Sequence, residues 1–413
     1  MMTPRNTLKT TKRRGRPLEI LLAVLLSISL FVLGAVAVGD WFTDKEPVED
    51  YAFSFAFVGD TQVITLNHST KLGKIYDWIL ENRESKKIAH VFGLGDITND
   101  NTDIEWKRAV KQFEKMDGVI PYSLIRGNHD KSNSFEKYVC TEAYLSQFDG
   151  FYRDVHTNSY RLFSVSGVDF LFITLDFGPS DRVLSWAEEL IAAHPDRKVI
   201  ITTHAYLHKD GTTLDYKDGP APTKLQDAQG TVNNGDNMWD KVFSKYENVF
   251  LIVSGHVGSD DVIVTQTEGE HGNVVTQLLI DSQTLDKTTP SGMVVMLYFS
   301  NDGQTISIEQ YSTIQQSFYR RESQREITVP VFFSKEEETT EAPIEETTEN
   351  PVEETTALPN ETTASPETGS ETTPSPAPAE SGCKSSIGGI SVTMILPILC
   401  CVFFKREVKK RDD

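Results

Sequence analysis

The chain is expected to form an α/β domain with two sheets flanked by helices. Three observations carry that expectation. Strand-like apolar runs alternate with helix-patterned segments between residues 52 and 125, and such alternation implies a parallel sheet. A hairpin signal and several further apolar runs between residues 159 and 310 supply strands for a second sheet. The region 45–330 is long enough to bury one large core.

Residues 52–58 are apolar and aromatic and predict a buried strand. Residues 70–82 space Leu72, Ile75, Ile79 and Leu80 at helical intervals. Residues 90–94 predict a second strand, and 103–115 a helix carrying Ile104, Ala109, Val110 and Phe113, capped by Asp103. Residues 120–125 predict a third strand. Ser166-Gly167 between 159–165 and 168–175 predicts a hairpin, and 183–193 a helix. Strands at 197–202 and 249–253 are separated by a long polar loop, 205–236, and a short helix, 238–246, for which Asp236 is the expected cap. Residues 274–280, 293–299 and 306–310 are expected to close the region as antiparallel strands, with Asn301-Asp302-Gly303 turning between the last two. Trp78, Trp106, Trp186 and Trp239 fall on helical patterns and are assigned to the core.

The ends predict export and anchoring. Arg5, Lys9, Lys12, Arg13, Arg14 and Arg16 precede an apolar stretch, so residues 1–38 read as a signal peptide or an N-terminal anchor. Residues 387–404 are apolar or small and are followed by a basic tail, 405–413, the pattern of a transmembrane segment with its positive end inside the cell. Between domain and anchor, 335–382 is rich in Thr, Glu and Pro and is expected to be a disordered stalk, because it has too little apolar surface to offset the entropy of ordering. Residues 335–380 hold thirteen Glu and one Lys, which accounts for −12 of the formal net charge of −20. The remaining acidic balance argues against nucleic acid as a partner. Cys140 is the sole cysteine between 45 and 330, so no disulfide is expected inside the domain. By analogy, these features suit a cell-membrane protein with an outward-facing domain, of the Gram-positive type.

Five short blocks carry the chemistry. Gly59-Asp60-Thr61-Gln62, Gly95-Asp96, Gly127-Asn128-His129-Asp130, Thr203-His204 and Gly255-His256 each follow an apolar strand-like run. Carboxylates, amides and imidazoles suit hard or borderline divalent cations such as Mn, Fe or Zn. Five such blocks, each at a strand end, point to one site at one edge of a sheet. A lone Gly-Asp pair is more often a turn or cap, and a lone His after a strand is more often structural; the joint order makes the signal.

Over residues 52–312 the order and wording of these blocks resemble the calcineurin-like metallophosphoesterases. The resemblance implies a four-layer α-β-β-α sandwich and a two-metal site that hydrolyses phosphate esters. It implies that Asp96 bridges the metals, that Asn128, His204 and His256 complete the second ion, and that Asp60 and Gln62 serve the first. It also implies that a metal-bound hydroxide is the nucleophile and that His129 contacts the phosphate or protonates the leaving oxygen. Asn99 and Asp130 join His129 as candidate catalytic residues. Two departures from the family pattern fall on the first metal: Gln62 stands where the family has His, and Gly258 where it has a second His. A further departure is Asn99, where the family has an Asp that orients the catalytic His. One tight ion and a second, weaker one are therefore expected, with Asp260 or Asp261 as candidate stand-ins. Tyr206 and His208 either line the substrate pocket or are solvent-facing loop residues; Asn233 and Asn234 are left open between capping and facing the phosphate.

Two functional readings follow. One is a metal-dependent hydrolase of phosphomonoesters or phosphodiesters at the outer cell surface. The other is a non-catalytic surface binding module that keeps one structural metal, which the missing histidines would suit.

Overall fold

Phe53, Phe55 and Phe57 are buried on one side of their strand, and Ala56 and Val58 on the other. That two-residue period sets up the layers. In the computed structural model, which describes residues 42–43, 48–225, 232–283, 285, 292–319 and 325–332, this strand is β2 (Tyr51–Val58), preceded by the two-residue β1 (Phe42–Thr43). α1 (Gln62–Asn67) and α2 (Ser69–Asn82) lead to β3 (Ile88–Gly93), and α3 (Asp103–Phe113) to β4 (Tyr122–Leu124). Then follow α4 (Ser132–Tyr138), α5 (Glu142–Leu145), β5 (Gly150–Tyr152), β6 (Val155–Val165), β7 (Val168–Leu175), α6 (Asp181–Ala193) and β8 (Lys198–Thr203). α7 (Pro222–Leu225), α8 (Gly235–Lys241) and a 3-10 turn precede β9 (Val249–Ser254), β10 (Ile263–Glu268) and β11 (Val274–Leu279). β12 (Met293–Ser300), β13 (Thr305–Ser312), β14 (Ser317–Tyr319) and β15 (Arg325–Thr328) end the described part.

One sheet runs β1-β14-β13-β12-β2-β3-β4, with β15 on β13; the other runs β10-β11-β9-β8-β7-β6-β5. The inward faces meet in an aromatic layer. Phe55 alone lies within 5.1–5.8 Å, ring to ring, of Phe92, Phe172 and Phe299. α2 and α3 cover the outer face of the first sheet, and α6 and α8 the outer face of the second. The result is the four-layer sandwich, helices outside and sheets within. Trp106 is fully buried, whereas Trp78, Trp186 and Trp239 are partly buried against the helical layers.

The structure revises several expectations. Thr102, not Asp103, caps α3: its extended backbone frees its hydroxyl to accept from the Glu105 N–H while the Glu105 carboxylate accepts from the Thr102 N–H at 3.0 Å. At α8 the N-cap is Asn234, whose N–H donates to the Asn237 side chain, and Asp236 sits inside the first turn. Strand β10 had no clean alternation and was not anticipated. It makes β11 run parallel to β9, not antiparallel as expected, because the chain turns back once before entering β11. That reversal matters for the site. The short helices α1, α4 and α5, the two-to-four-residue strands at β1, β5, β14 and β15, and α7 also had no sequence signal strong enough to place them.

The segments 1–38, 335–382, 387–404 and 405–413 lie outside the described residues. Among the described residues no helix is long and apolar enough to cross a membrane.

Candidate metal centre

Strands β2, β3 and β4 run parallel in one sheet, and β7, β8, β9 and β11 in the other. Asp60, Asp96, Asn128, His204 and His256 follow the carboxyl ends of β2, β3, β4, β8 and β9. The fold brings these ends together. The Asp60 Oδ1 accepts from the His256 N–H at 3.1 Å, and the Asp96 Oδ1 from the His129 N–H at 2.9 Å. Asp96 and His256 are both non-glycine residues at positive φ, +44° and +75°. Such backbones cost of order 1–3 kcal/mol each and persist where neighbours over-determine them.

The side chains form an acceptor-rich pocket. His204 is fully buried; its Nδ1 donates to the Leu94 carbonyl at 2.7 Å, so Nε2 carries the lone pair. That nitrogen faces two more acceptors, the Asp96 Oδ1 at 3.3 Å and the Asn128 Oδ1 at 3.2 Å. His256 has the same arrangement: its Nε2 donates to the Pro220 carbonyl at 2.8 Å, leaving Nδ1 bare. Ligand atoms of Asp96, His204 and His256 lie within 4.8 Å of one another. Lone pairs converging without a donor call for either a second proton on imidazole or a cation, and the other ring nitrogen bound to a carbonyl is the usual device for aiming a metal-ligating His. The residues therefore fit a divalent cation.

The charges agree with that reading. Burial, then the neighbouring His204, pushes His256 down to about 4, so its ring is neutral at pH 7. Burial opposes ionisation of Asp96, but His204 and the His129 N–H outweigh it and hold the carboxyl below its usual range. Burial likewise opposes protonation of His204, and Asp96 reverses the balance and raises it.

The candidate catalytic residues separate into different roles. The His129 Nδ1 donates to the Asn99 carbonyl at 2.7 Å, which fixes the ring and leaves Nε2 free to act. Asn99 thus supports His129 through its backbone, while its side-chain amide donates to Asp100. Asp130 has no exposed surface; its two oxygens accept from the N–H groups of Ile97, Thr98 and Gly127 and from the Thr98 hydroxyl. Burial, then Asp96, raises Asp130 to about 6 despite those donors. A carboxylate so engaged is a positioning group that locks the β3 and β4 exits together, not one that reaches substrate.

Gln62 is 8 % exposed; its Nε2 donates to the Gln283 Oε1 at 3.0 Å, and its own Oε1 has no partner. Sequence reasoning missed Asp281 and Gln283. Asp281 is 1 % exposed and stands two residues beyond the end of β11, as Asp60 does beyond β2. Gln283 Nε2 donates to both, at 3.0 Å to the Asp60 Oδ2 and 3.1 Å to the Asp281 Oδ2. Burial, then Asp281 and Asp96, holds Asp60 well above its usual range, and burial raises Asp281. The signal that could have found Asp281 is a ligand-type residue directly after the strand-like run 274–280, although it lacks the Gly or Thr that precedes the ligand-type residue in the other five blocks. Of the residues left open, Tyr206 is fully buried in the helix-side core, His208 is half-buried beside Asp210 at 3.3 Å, and the Asn233 amide donates to the Pro179 carbonyl and to Asp181. Phe177 packs against the rings of His204 and His256 and walls that side of the pocket.

A helix-flanked double sheet with residues of metal-ligand type at its parallel strand ends defines a metallophosphoesterase-type fold. Residues 53–260 match the Calcineurin-like phosphoesterase family, and the chain belongs to it. Among curated proteins it is 26 % identical over 283 residues to the uncharacterized protein YvnB of Bacillus subtilis, a match covering 65 % of this chain and 20 % of that one. It is 25 % identical over 192 residues to a probable glycerophosphodiester phosphodiesterase, GpdQ, of Arcobacter nitrofigilis, covering 44 % of this chain and 62 % of that one. The match thus spans a fifth and about three fifths of these relatives' lengths. Solved structures that resemble it include a dimetal phosphatase from Danio rerio (14 % identity, TM-score 0.44, 68 % of this chain and all of that one). A purple acid phosphatase, PPD1, from Lupinus luteus seeds is also similar (14 % identity, TM-score 0.42, 69 % and 55 %).

Proposed function

We propose that the chain is a metal-dependent hydrolase of phosphomonoesters or phosphodiesters. The observation that carries this is the approach of the Asp96 Oδ1 and the Asn128 Oδ1 to the His204 Nε2, with His129 on the same strand exit as Asn128. Divalent cations held there would polarise the phosphoryl group and make water nucleophilic near pH 7. Asp96, Asn128, His204 and His256 would hold one, and Asp60 and Gln62 a second. The Asn99 carbonyl orients His129 so that Nε2 contacts a phosphate oxygen or delivers a proton to the leaving oxygen. Phe177 packs against both imidazoles on one side of the pocket. The likeness to a probable phosphodiesterase is a reason to assay diesters beside monoesters.

The test is turnover of an aryl phosphomonoester and a bis-aryl phosphodiester by the purified protein. At least one should be hydrolysed, activity should vanish with chelator, and Mn²⁺ should restore it. No turnover of either with any first-row metal would instead favour the binding-module reading.

The same proposal places the domain outside the cell, held by 387–404 through the stalk 335–382. The supports are the basic-then-apolar order of 1–38 and the basic residues after 404. Protease added to intact cells should release a soluble domain cut within 335–380, since exposed unpacked segments are nicked first. Protection until the cells are broken would contradict that orientation.

A further inference from the structure

We propose that Asp281 is a metal ligand, forming with Asp60 and the Gln62 amide oxygen an all-oxygen cation position where relatives use imidazole. The inference rests on the metallophosphoesterase reading and adds a residue outside the matched family segment, 53–260.

Four observations carry it. First, Asp281 occupies on β11 the place Asp60 occupies on β2, two residues past the end of a parallel strand at the same rim. Second, the two strand exits are pressed together at Gly59, where a Cβ would stand 2.7 Å from the Ile280 carbonyl oxygen. Only glycine allows β2 and β11 to deliver both carboxylates so close. Third, one amide serves both: Gln283 Nε2 reaches the Asp60 Oδ2 and the Asp281 Oδ2, and the Gln283 Oε1 is satisfied by the Gln62 Nε2. Gln283 is therefore an orienting residue, hydrogen-bonded to all three side chains. Fourth, that bond ties Gln62 to the same cluster through Gln283, and the Gln62 Oε1 is buried with no hydrogen-bond partner. A buried amide oxygen without a partner is costly, and so are two adjacent buried carboxylates; one divalent cation resolves both.

Position 258 fits the same account. The Ser259 N–H, next to Gly258, donates to the Asp281 carbonyl at 2.8 Å. The segment that lacks a histidine is thus tied to the residue proposed to replace it. Asp260 and Asp261 do not take this role: the Asp260 carbonyl accepts from Gln310, and no contact joins either side chain to Asp60 among the described residues. Donor chemistry then differs between the two positions. Oxygen-only ligands suit Mn²⁺ or Mg²⁺, whereas the position with His204 and His256 suits Zn²⁺, Fe or Mn²⁺.

The test is Mn²⁺ binding to the full chain after exhaustive dialysis, by titration calorimetry and by electron paramagnetic resonance. The wild type should bind two ions and give the spectrum of a spin-coupled pair. Asp281→Asn should lose one ion, or bind it at least tenfold more weakly, and show an isolated-Mn²⁺ spectrum, while His256→Ala should lose the other ion. Melting in chelator separates ligation from mere structure. Removing a buried charge should leave metal-free Asp281→Asn at least as stable as the metal-free wild type. Two coupled ions retained in Asp281→Asn, one ion bound equally by wild type and Asp281→Asn, or a lower metal-free melting point for Asp281→Asn would overturn the assignment of Asp281. A wild type that binds no Mn²⁺ at all would instead overturn the metallophosphoesterase reading on which it rests.

Discussion

Alanine at Asn128 or His256 should abolish phosphate-ester hydrolysis and lower the metal content of the purified protein. Each replacement removes a ligand atom from the pocket in which the Asn128 Oδ1 and the Asp96 Oδ1 lie 3.2 and 3.3 Å from the His204 Nε2. Loss of a residue that merely orients a metal ligand typically costs roughly 10–100-fold, so loss of a ligand should exceed that. His129→Ala makes the contrast. Its ring is held by the Asn99 carbonyl, and its Nε2 is not part of the convergent set. Turnover should fall by about 10²–10⁴ while the metal stays bound. Elemental analysis beside kinetics distinguishes the two outcomes. Equal metal loss in His129→Ala and His256→Ala would contradict the roles assigned to them.

Gly127→Ala should be nearly as damaging without removing any ligand. A Cβ at this position would lie 2.1 Å from the Asp96 Oδ1 and 2.2 Å from the Asp96 N, both far inside contact distance. Asp96 has no room to retreat, because it is 2 % exposed and its carbonyl accepts from the Thr61 N–H at 3.1 Å. The added methyl must push β4's exit away from β3's. Overpacking of this kind costs about 1–3 kcal/mol, visible as a lower denaturation midpoint. The displaced Asp96 carboxylate should also cut metal affinity. A Gly127→Ala protein with wild-type stability and metal content would show that the two exits are not as closely set as described.

The layers were legible because long elements obey simple periods. Residues 52–58 alternate aromatic with small or aliphatic side chains, and the structure buries both faces. Residues 70–82 and 183–193 carry helical stripes that match α2 and α6 to within two residues. What was not legible depends on pairing between distant segments. β10 is half-exposed on most positions and lacks a clean alternation, so the direction of β11 could not be deduced. Nothing in the letters alone therefore placed Asp281 at the rim shared by the five blocks. The five blocks were visible because each pairs Gly or Thr with a ligand-type residue, whereas Ile280-Asp281-Ser282-Gln283 has neither. The setting of Asp130 was hidden for a related reason. Adjacent to His129 in sequence, it points away from the pocket and into the N–H groups of Ile97, Thr98 and Gly127. A single chain of letters does not say which of two neighbouring side chains faces a site.

The central claim is that one cation position is built from Asp96, Asn128, His204 and His256. Anomalous diffraction at the manganese edge, from crystals of the protein grown with Mn²⁺, tests it most directly. A peak is expected in contact with the Asp96 Oδ1, the Asn128 Oδ1, the His204 Nε2 and the His256 Nδ1. Crystals with no peak there, or with a peak only at Glu136, Cys140 and His156, a second ligand-like cluster among the described residues, would contradict it.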